Sequence, residues 1–399
     1  MRTKKTWFRF AVSLAIVLCI GLAAFLHLRG LWQIATVVRT SDGCAVRRGA
    51  GELPARAGTV LWRGDTVRVP PGGSMRIEYA AGHRLALHAD TELTLGRPVR
   101  LARGTLRAEI GEQPVGRPMV FESPGTELDV WGAVFRLWTR EGVSSTHVQD
   151  GQLELRRKAD GESIRLHANQ YAVVAPGHPL AADVALHTET LASGLVGHWS
   201  FEESDGTVVK DTSGNAHHGV TVGGPTWGQG RLGKALCFDG VDDYVRVAHA
   251  DSLDLADTLT VAVWLRAENV PVRDERIVSK MYSWDVKLSG EHCFPQFTAG
   301  NTQFAAIQQP IRRDAWQHIA FSFERGAVHG YLNGVSVPMR TDTFRAGELL
   351  LSTDYDLFIG QRGNGHFLKG RLDELRLYNR ALGANEIRRL WLLGLDARL

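Results

Sequence analysis

Leu259-Thr260-Val261-Ala262-Val263-Trp264-Leu265 places Leu259, Val261, Val263 and Leu265 on one face of an extended strand, because successive strand side chains point to opposite sides. The same period returns in Ile319, Phe321 and Phe323, just after Trp316. Tyr331-Leu332-Asn333-Gly334 reads as one arm and the turn of a hairpin, since Asn-Gly supplies the positive φ values of a tight turn. Turn chemistry is dense around these strands, in Asp211-Thr212-Ser213-Gly214-Asn215, Asp239-Gly240 and Gly363-Asn364-Gly365. Residues 194–390 are therefore expected to form two packed antiparallel sheets, with 381–391 as a short closing helix and 391–399 as a tail.

Upstream, residues 40–177 carry the same signature in shorter pieces. Pro70-Pro71-Gly72-Gly73 is a turn between strand-like runs, and Leu106, Ala108 and Ile110 share a face against Thr105, Arg107 and Glu109. The period recurs at Leu128, Val130 and Val134, at Val148, Leu153 and Leu155, and at Ile164 and Leu166. Residues 178–193 lack sustained alternation and are read as a linker.

Two resemblances follow from ordered motifs. Leu61-Trp62-Arg63-Gly64-Asp65-Thr66-Val67, Gly72-Gly73-Ser74-Met75-Arg76-Ile77, Val99-Arg100-Leu101-Ala102-Arg103-Gly104-Thr105-Leu106 and Val148-Gln149-Asp150-Gly151-Gln152-Leu153-Glu154-Leu155 resemble the FecR-type domain, an exported module of bacterial membrane regulators. Gly197-His198-Trp199-Ser200-Phe201-Glu202-Glu203, Leu232 through Val245, Trp316-Gln317-His318-Ile319-Ala320-Phe321 and Gly370 through Leu382 are similar to laminin-G-like, concanavalin A-like jelly rolls. The resemblances imply a mainly β protein: a FecR-like β domain followed by a concanavalin-like jelly-roll β-sandwich. For the second domain they also imply a structural calcium site, at Asp211, Asn215 and Asp373. A reading of the residues alone leaves an alternative open, in which Asp211 and Asn215 cap their own turn and Asp373 pairs with an arginine.

The N-terminus supplies the topology. Residues 10–28 are 19 residues without Asp, Glu, Lys or Arg, bracketed by Arg9 and Arg29, which suffices for one transmembrane helix. Arg2, Lys4, Lys5 and Arg9 precede it, so residues 1–9 are expected as a cytoplasmic tail and the C-terminal domains in the periplasm or extracytoplasmic space. A cleaved signal peptide is the competing reading, although Leu22 stands where a small residue is needed before a cut after Ala24. FecR-type regulators place an anti-sigma domain on the cytoplasmic side, and the nine residues before Phe10 hold none unless the start lies upstream of Met1. The net charge of +3 is accounted for by that tail, leaving a nearly neutral body unsuited to nucleic acid.

Chemistry is sparser than structure. No CxxC, HExxH, GxSxG or P-loop occurs, and no paired-carboxylate strand of the glycosidase kind. Glu202, Glu203 and Asp205 cluster, but adjacent strand residues point to opposite faces. No catalytic residues are therefore assigned. Tyr282, Trp284 and Tyr355 lie near turns and are candidate ligand contacts; Cys237 and Cys293 are a candidate disulfide in an oxidising compartment. Cys237 is otherwise read as a compact core residue, and Trp199, Trp264 and Trp316 as core tryptophans. The reading is of a noncatalytic envelope protein, membrane-anchored through its N-terminal helix, that recognises carbohydrate or an envelope protein. FecR-type signalling and a glycan-active enzyme are the alternatives.

Overall fold

Sequence alternation becomes β-structure in the described residues of both units of the chain, Met1–Ala185 and Leu186–Leu399. The computed structural model describes residues 33–184, 191–268, 274–299, 301–307, 309–341, 347–363 and 365–394. The apolar segment 10–28 lies outside them, and among the described residues no helix is long and apolar enough to cross a membrane.

In the first unit a 15-stranded sheet runs from Asp183–Val184 to Val60–Trp62. Its long members, Val99–Ile110, Thr126–Arg140 and Val143–Arg157, pair antiparallel, while Met119–Glu122 meets Val99–Ile110 in parallel. Most of the expected apolar faces bury together, with Leu106, Ala108, Leu128, Val130, Val148, Leu153, Leu155 and Leu166 in one core; past a bulge between Val130 and Gly132, Val134 is only half-buried and Ala133 and Phe135 enter the core instead. Asp65, itself buried, organises the Trp62–Asp65 turn. Its carboxylate accepts the Trp62 amide at 2.8 Å and both Nε and Nη2 of Arg48, at 2.9 and 2.6 Å. Gln33–Thr40 pairs with Met75–Tyr79 and Val60–Trp62, so the unit includes residues before position 40.

The second unit is a sandwich of two antiparallel sheets. The first sheet orders Thr226–Gln229, Lys234–Asp239, Lys369–Tyr378, Thr258–Ala267, Gln317–Glu324, Ala327–Leu332 and Val335–Val337, with Leu195–Trp199 also on Lys369–Tyr378. The second orders Val208–Val209, Gly219–Val222, Tyr244–Val247, Leu357–Ile359, Asp274–Lys280, Trp284–Ser289, His292–Ala299, Asn301–Ile307 and Met339–Thr341. Leu259, Val261, Val263 and Leu265 face Val245, Ile277, Val286, Leu357 and their neighbours in one core. The Asn333–Gly334 turn has φ of +51° and +78°, as an Asn-Gly hairpin requires.

The other face of the first sheet is also covered. Helix α1, Ala384–Leu393, lays Ile387 and Leu390 on Ala262, Ala320, Tyr331 and Tyr378. Its first turn is fixed by Glu386, which accepts the Gly383 amide and both terminal nitrogens of Arg380. Trp264 is buried on this face, whereas Trp316, just before its strand, is only half-buried and not a core residue.

His318 is buried here beside Trp264, with ring centroids 5.5 Å apart. Burial, reinforced by Arg376 and opposed by Glu374, pushes its pKa down to about 3. The unfolded chain binds a proton near pH 6.5 that the folded chain refuses, so this contribution is intact above pH 6.5 and is lost as pH falls toward 3. His318→Gln is expected to flatten the stability difference across pH 6.5 to 4, where one such proton is worth about 1.4 kcal/mol per pH unit. Denaturant unfolding of both proteins across that window measures it; parallel curves would remove His318 as the cause.

Candidate functional site

The outer face of the second sheet brings together the polar and aromatic groups of greatest interest. Val245, Val247, Leu357, Ile359, Val286 and Leu288 point into the core. Alternation therefore turns Tyr244, Arg246, Phe358, Asp285 and Lys287 outward. A bulge between Arg276 and Val278 resets the parity of that strand: Ile277 and Val278 both enter the core, and Arg276 and Ser279 join the outer face opposite Lys287 and Asp285.

Asp285 is the hub of this face. One carboxylate oxygen accepts the Ser279 hydroxyl. The other lies 3.7 Å from Arg276 Nε and 3.8 Å from Arg362 Nε, within ion-pair range but beyond hydrogen-bond length. Arg276 is 2% exposed, and its Nε and Nη1 make no hydrogen bond. Burial lowers its pKa from the usual arginine value; Asp285 and Asp274 oppose this and the neighbouring Arg362 adds to it. The Arg362 guanidinium lies 6.0 Å from the centre of the Tyr282 ring.

Tyr282 and Tyr355 form an exposed pair, with ring centroids 5.3 Å apart and exposures of 52% and 45%. Their placement is held from beneath. Lys280, fully buried, donates from Nζ to the Tyr355 carbonyl at 2.6 Å, and that Nζ lies 3.0 Å from His249 Nδ1 and 3.2 Å from Asp254 Oδ1. Thr353 donates to the Met281 carbonyl at 3.2 Å, and Tyr282 holds a left-handed φ of +62° in the intervening turn. A cleft of about 330 Å³ lies on the same unit, lined by Gly240, Asp274, His366 and Phe367. The Arg276 amide donates to the His366 carbonyl at 2.9 Å, which ties the cleft to the arginines.

The sequence-derived candidates separate. Tyr282 and Tyr355 meet, but Trp284 is 2% exposed and faces the core, so it cannot touch a ligand. Asp211 accepts the amides of His198, Ser213 and His217 and the Ser213 hydroxyl, all at 2.8–2.9 Å. Burial opposes its charge, yet these donors hold it below the usual Asp range. Asn215 Nδ2 donates to the Leu195 and Val196 carbonyls. Asp373 closes a different turn by accepting the Arg231 and Leu232 amides, and burial pushes it up to about 8. Glu202 and Glu203 likewise bind the amides of Lys234 and Lys210.

Cys237 and Cys293 form no disulfide. Cys237 is half-buried between the inward-facing Leu236 and Phe238, so it points out of the first sheet, while Cys293 points into the core from the second. Sheets about 10 Å apart with side chains so directed exceed disulfide reach, and Cys237 is not a core residue.

Reading the sequence passed over two features. Arg276 and Arg362 are unremarkable as isolated residues, and only the bulge and the strand register make them neighbours. The Asp239-Gly240-Val241-Asp242-Asp243 run was visible as a turn, and the structure gathers Asp239, Asp242 and Asp243 with carboxylate oxygens within 4.8 Å of one another. Such a group can hold a metal ion, and calcium suits its hard oxygens. Burial, together with the charges of Asp239 and Asp242, raises the Asp243 pKa; a cation would relieve that crowding.

Residues 239–388 match the model of the concanavalin A-like lectin/glucanases superfamily. No curated protein matches the chain in sequence. Among solved structures, the binding domain of Paraclostridial Mosquitocidal Protein 1 is 18% identical at a TM-score of 0.43, over 50% of this chain and 52% of that one. Domain 4 of AbnA, an extracellular arabinanase from Geobacillus stearothermophilus, in complex with arabinotriose, is 24% identical at a TM-score of 0.38, over 49% of this chain and 97% of that one. The binding domain of botulinum neurotoxin DC in complex with rat synaptotagmin II is 12% identical at a TM-score of 0.40, over 51% and 52%. The chain thus spans about half the length of the first of these structures.

Calcium is expected to raise the thermal midpoint of the full chain relative to chelator, and Asp242→Ala to abolish the rise. Asp211→Ala is expected to lower the midpoint in either condition, by about 2–3 kcal/mol of stability, because it strands buried amides. Equal wild-type midpoints with calcium and chelator would remove the metal from the account. The second unit is thus a sandwich of two antiparallel sheets whose residues 239–388 are similar to concanavalin A-like jelly rolls.

Proposed function

We propose that this domain is a noncatalytic recognition module that binds carbohydrate on the outer face of its second sheet, around Tyr282, Tyr355 and Arg362. The observation that carries the reading is the exposed tyrosine pair, anchored by the buried ammonium of Lys280. Large apolar rings left in water at a fixed angle suit the C–H faces of sugar rings, and pre-positioning them removes part of the ordering cost of binding. The polar groups beside them suit orientation better than proton transfer. Asp285 faces two arginines and Asp274 lies 3.5 Å from Lys287 Nζ, so both carboxylates are committed to cations.

The rest of the chain fits display of such a module. Residues 10–28 would anchor it in a membrane, with the body outside the cytoplasm, and the FecR-like unit would serve as spacer or scaffold. A nearly neutral body leaves nucleic acid out of this reading.

The full-length chain should bind saturably on an array of envelope polysaccharides. Tyr282→Ala and Tyr355→Ala should each weaken that binding about tenfold, or ~1.4 kcal/mol, with unfolding midpoints unchanged because both rings are exposed. Capture of a protein partner without glycan binding would shift the reading to protein recognition, and saturable glycan binding insensitive to both tyrosines would move the site elsewhere.

A further inference from the structure

We infer that this face selects a sugar bearing a carboxylate, with Arg362 as the group that receives it; the inference rests on the glycan-binding reading above. The starting point is an imbalance of donors. Arg362 is 24% exposed at its side chain; among the described residues it meets the ring of Tyr282 and lies 3.8 Å from Asp285, beyond hydrogen-bond length. Behind it, Arg276 keeps two buried nitrogens without hydrogen-bond partners. Buried donors are almost always satisfied in native proteins, and a guanidinium fork left open in a partly desolvated position marks a place where an acceptor arrives.

Charge points the same way. Three cations, Arg276, Arg362 and Lys287, stand around two carboxylates, Asp274 and Asp285. Asp285 is shared by two arginines and also accepts the Ser279 hydroxyl, so its capacity is nearly filled. Around Asp285 itself, two arginines share a single carboxylate. The planar fork of arginine matches the two oxygens of a carboxylate, and its place beside Tyr282 puts that anion next to a surface suited to a sugar ring.

A sulfate ester is also a monoanion, so the test must separate charge from carboxylate. The full-length chain is titrated at 0.15 M salt with polygalacturonate, alginate and hyaluronate, with their methyl esters, and with dextran sulfate and neutral dextran. The esters keep the rings and remove only the charge. The wild type is expected to bind at least one acid form roughly tenfold to hundredfold more tightly than its ester, the range expected for hydrogen bonds to a charged group. Arg362→Gln is expected to weaken the acid form far more than the ester, so that the acid-to-ester affinity ratio falls to about one. Arg362→Lys should recover only part of the difference, because it lacks the fork.

Equal affinity of acid and ester for the wild type would overturn the carboxylate while leaving glycan recognition standing. Tighter binding of dextran sulfate than of every carboxylated polymer would assign the site to sulfate esters instead and equally overturn it. An Arg362→Gln variant that keeps the full acid preference would remove Arg362 from the role. Failure to bind any of these polymers, neutral dextran and esters included, overturns this inference; joined to an envelope-polysaccharide array that is also blank, it takes the glycan reading with it.

Discussion

The ammonium of Lys280 is the constraint on which the exposed aromatic edge of the second unit depends. A fully buried cation is costly unless its donors are all used, and this one faces the Tyr355 carbonyl, His249 and Asp254. Those three partners come from two stretches of the chain, so one charge joins the loop before Leu357–Ile359 to the single turn that holds both His249 and Asp254. Placement of Tyr355 against Tyr282 follows from that junction, and Arg362 in turn sits beside Tyr282. Packing of the two sheets supplies the scaffold; the buried charge sets where its aromatic edge stands.

Much of the scaffold was legible because strand periodicity is a local property. Leu259, Val261, Val263 and Leu265 bury together as their spacing requires, and Asn333–Gly334 makes the tight turn its dipeptide prescribes. What escaped reading was parity across irregularities. The bulge at Arg276 puts two consecutive residues, Ile277 and Val278, into the core, and no local pattern announces it. Trp284 and Cys293 are directed inward by pairing registers between strands, which propensity cannot supply. Tyr282 and Tyr355 were identifiable as turn-proximal aromatics, but their meeting depends on contacts 72 and 75 residues apart in the chain, between Met281 and Thr353 and between Lys280 and Tyr355.

The acidic residues illustrate a related limit. Asp211 and Asp373 stand in family-like motifs, and in the structure each closes a turn by accepting backbone amides. The three carboxylates that do converge, Asp239, Asp242 and Asp243, come from one short turn. A turn can concentrate charge because its backbone folds over a few residues, whereas assembling ligands from distant strands needs register that sequence does not display.

Helix α1 has one more consequence. By lying across Ala262, Ala320, Tyr331 and Tyr378, it covers part of the outer face of the first sheet, while Tyr282 and Tyr355 stay exposed beside the second. Under the proposed reading each copy would meet a surface from one side only, as a single-headed probe. On a repetitive polymer such a probe would gain strength by crowding: many copies sharing one strand would turn modest individual contacts into firm adhesion, with copy density as the quantity that sets the grip.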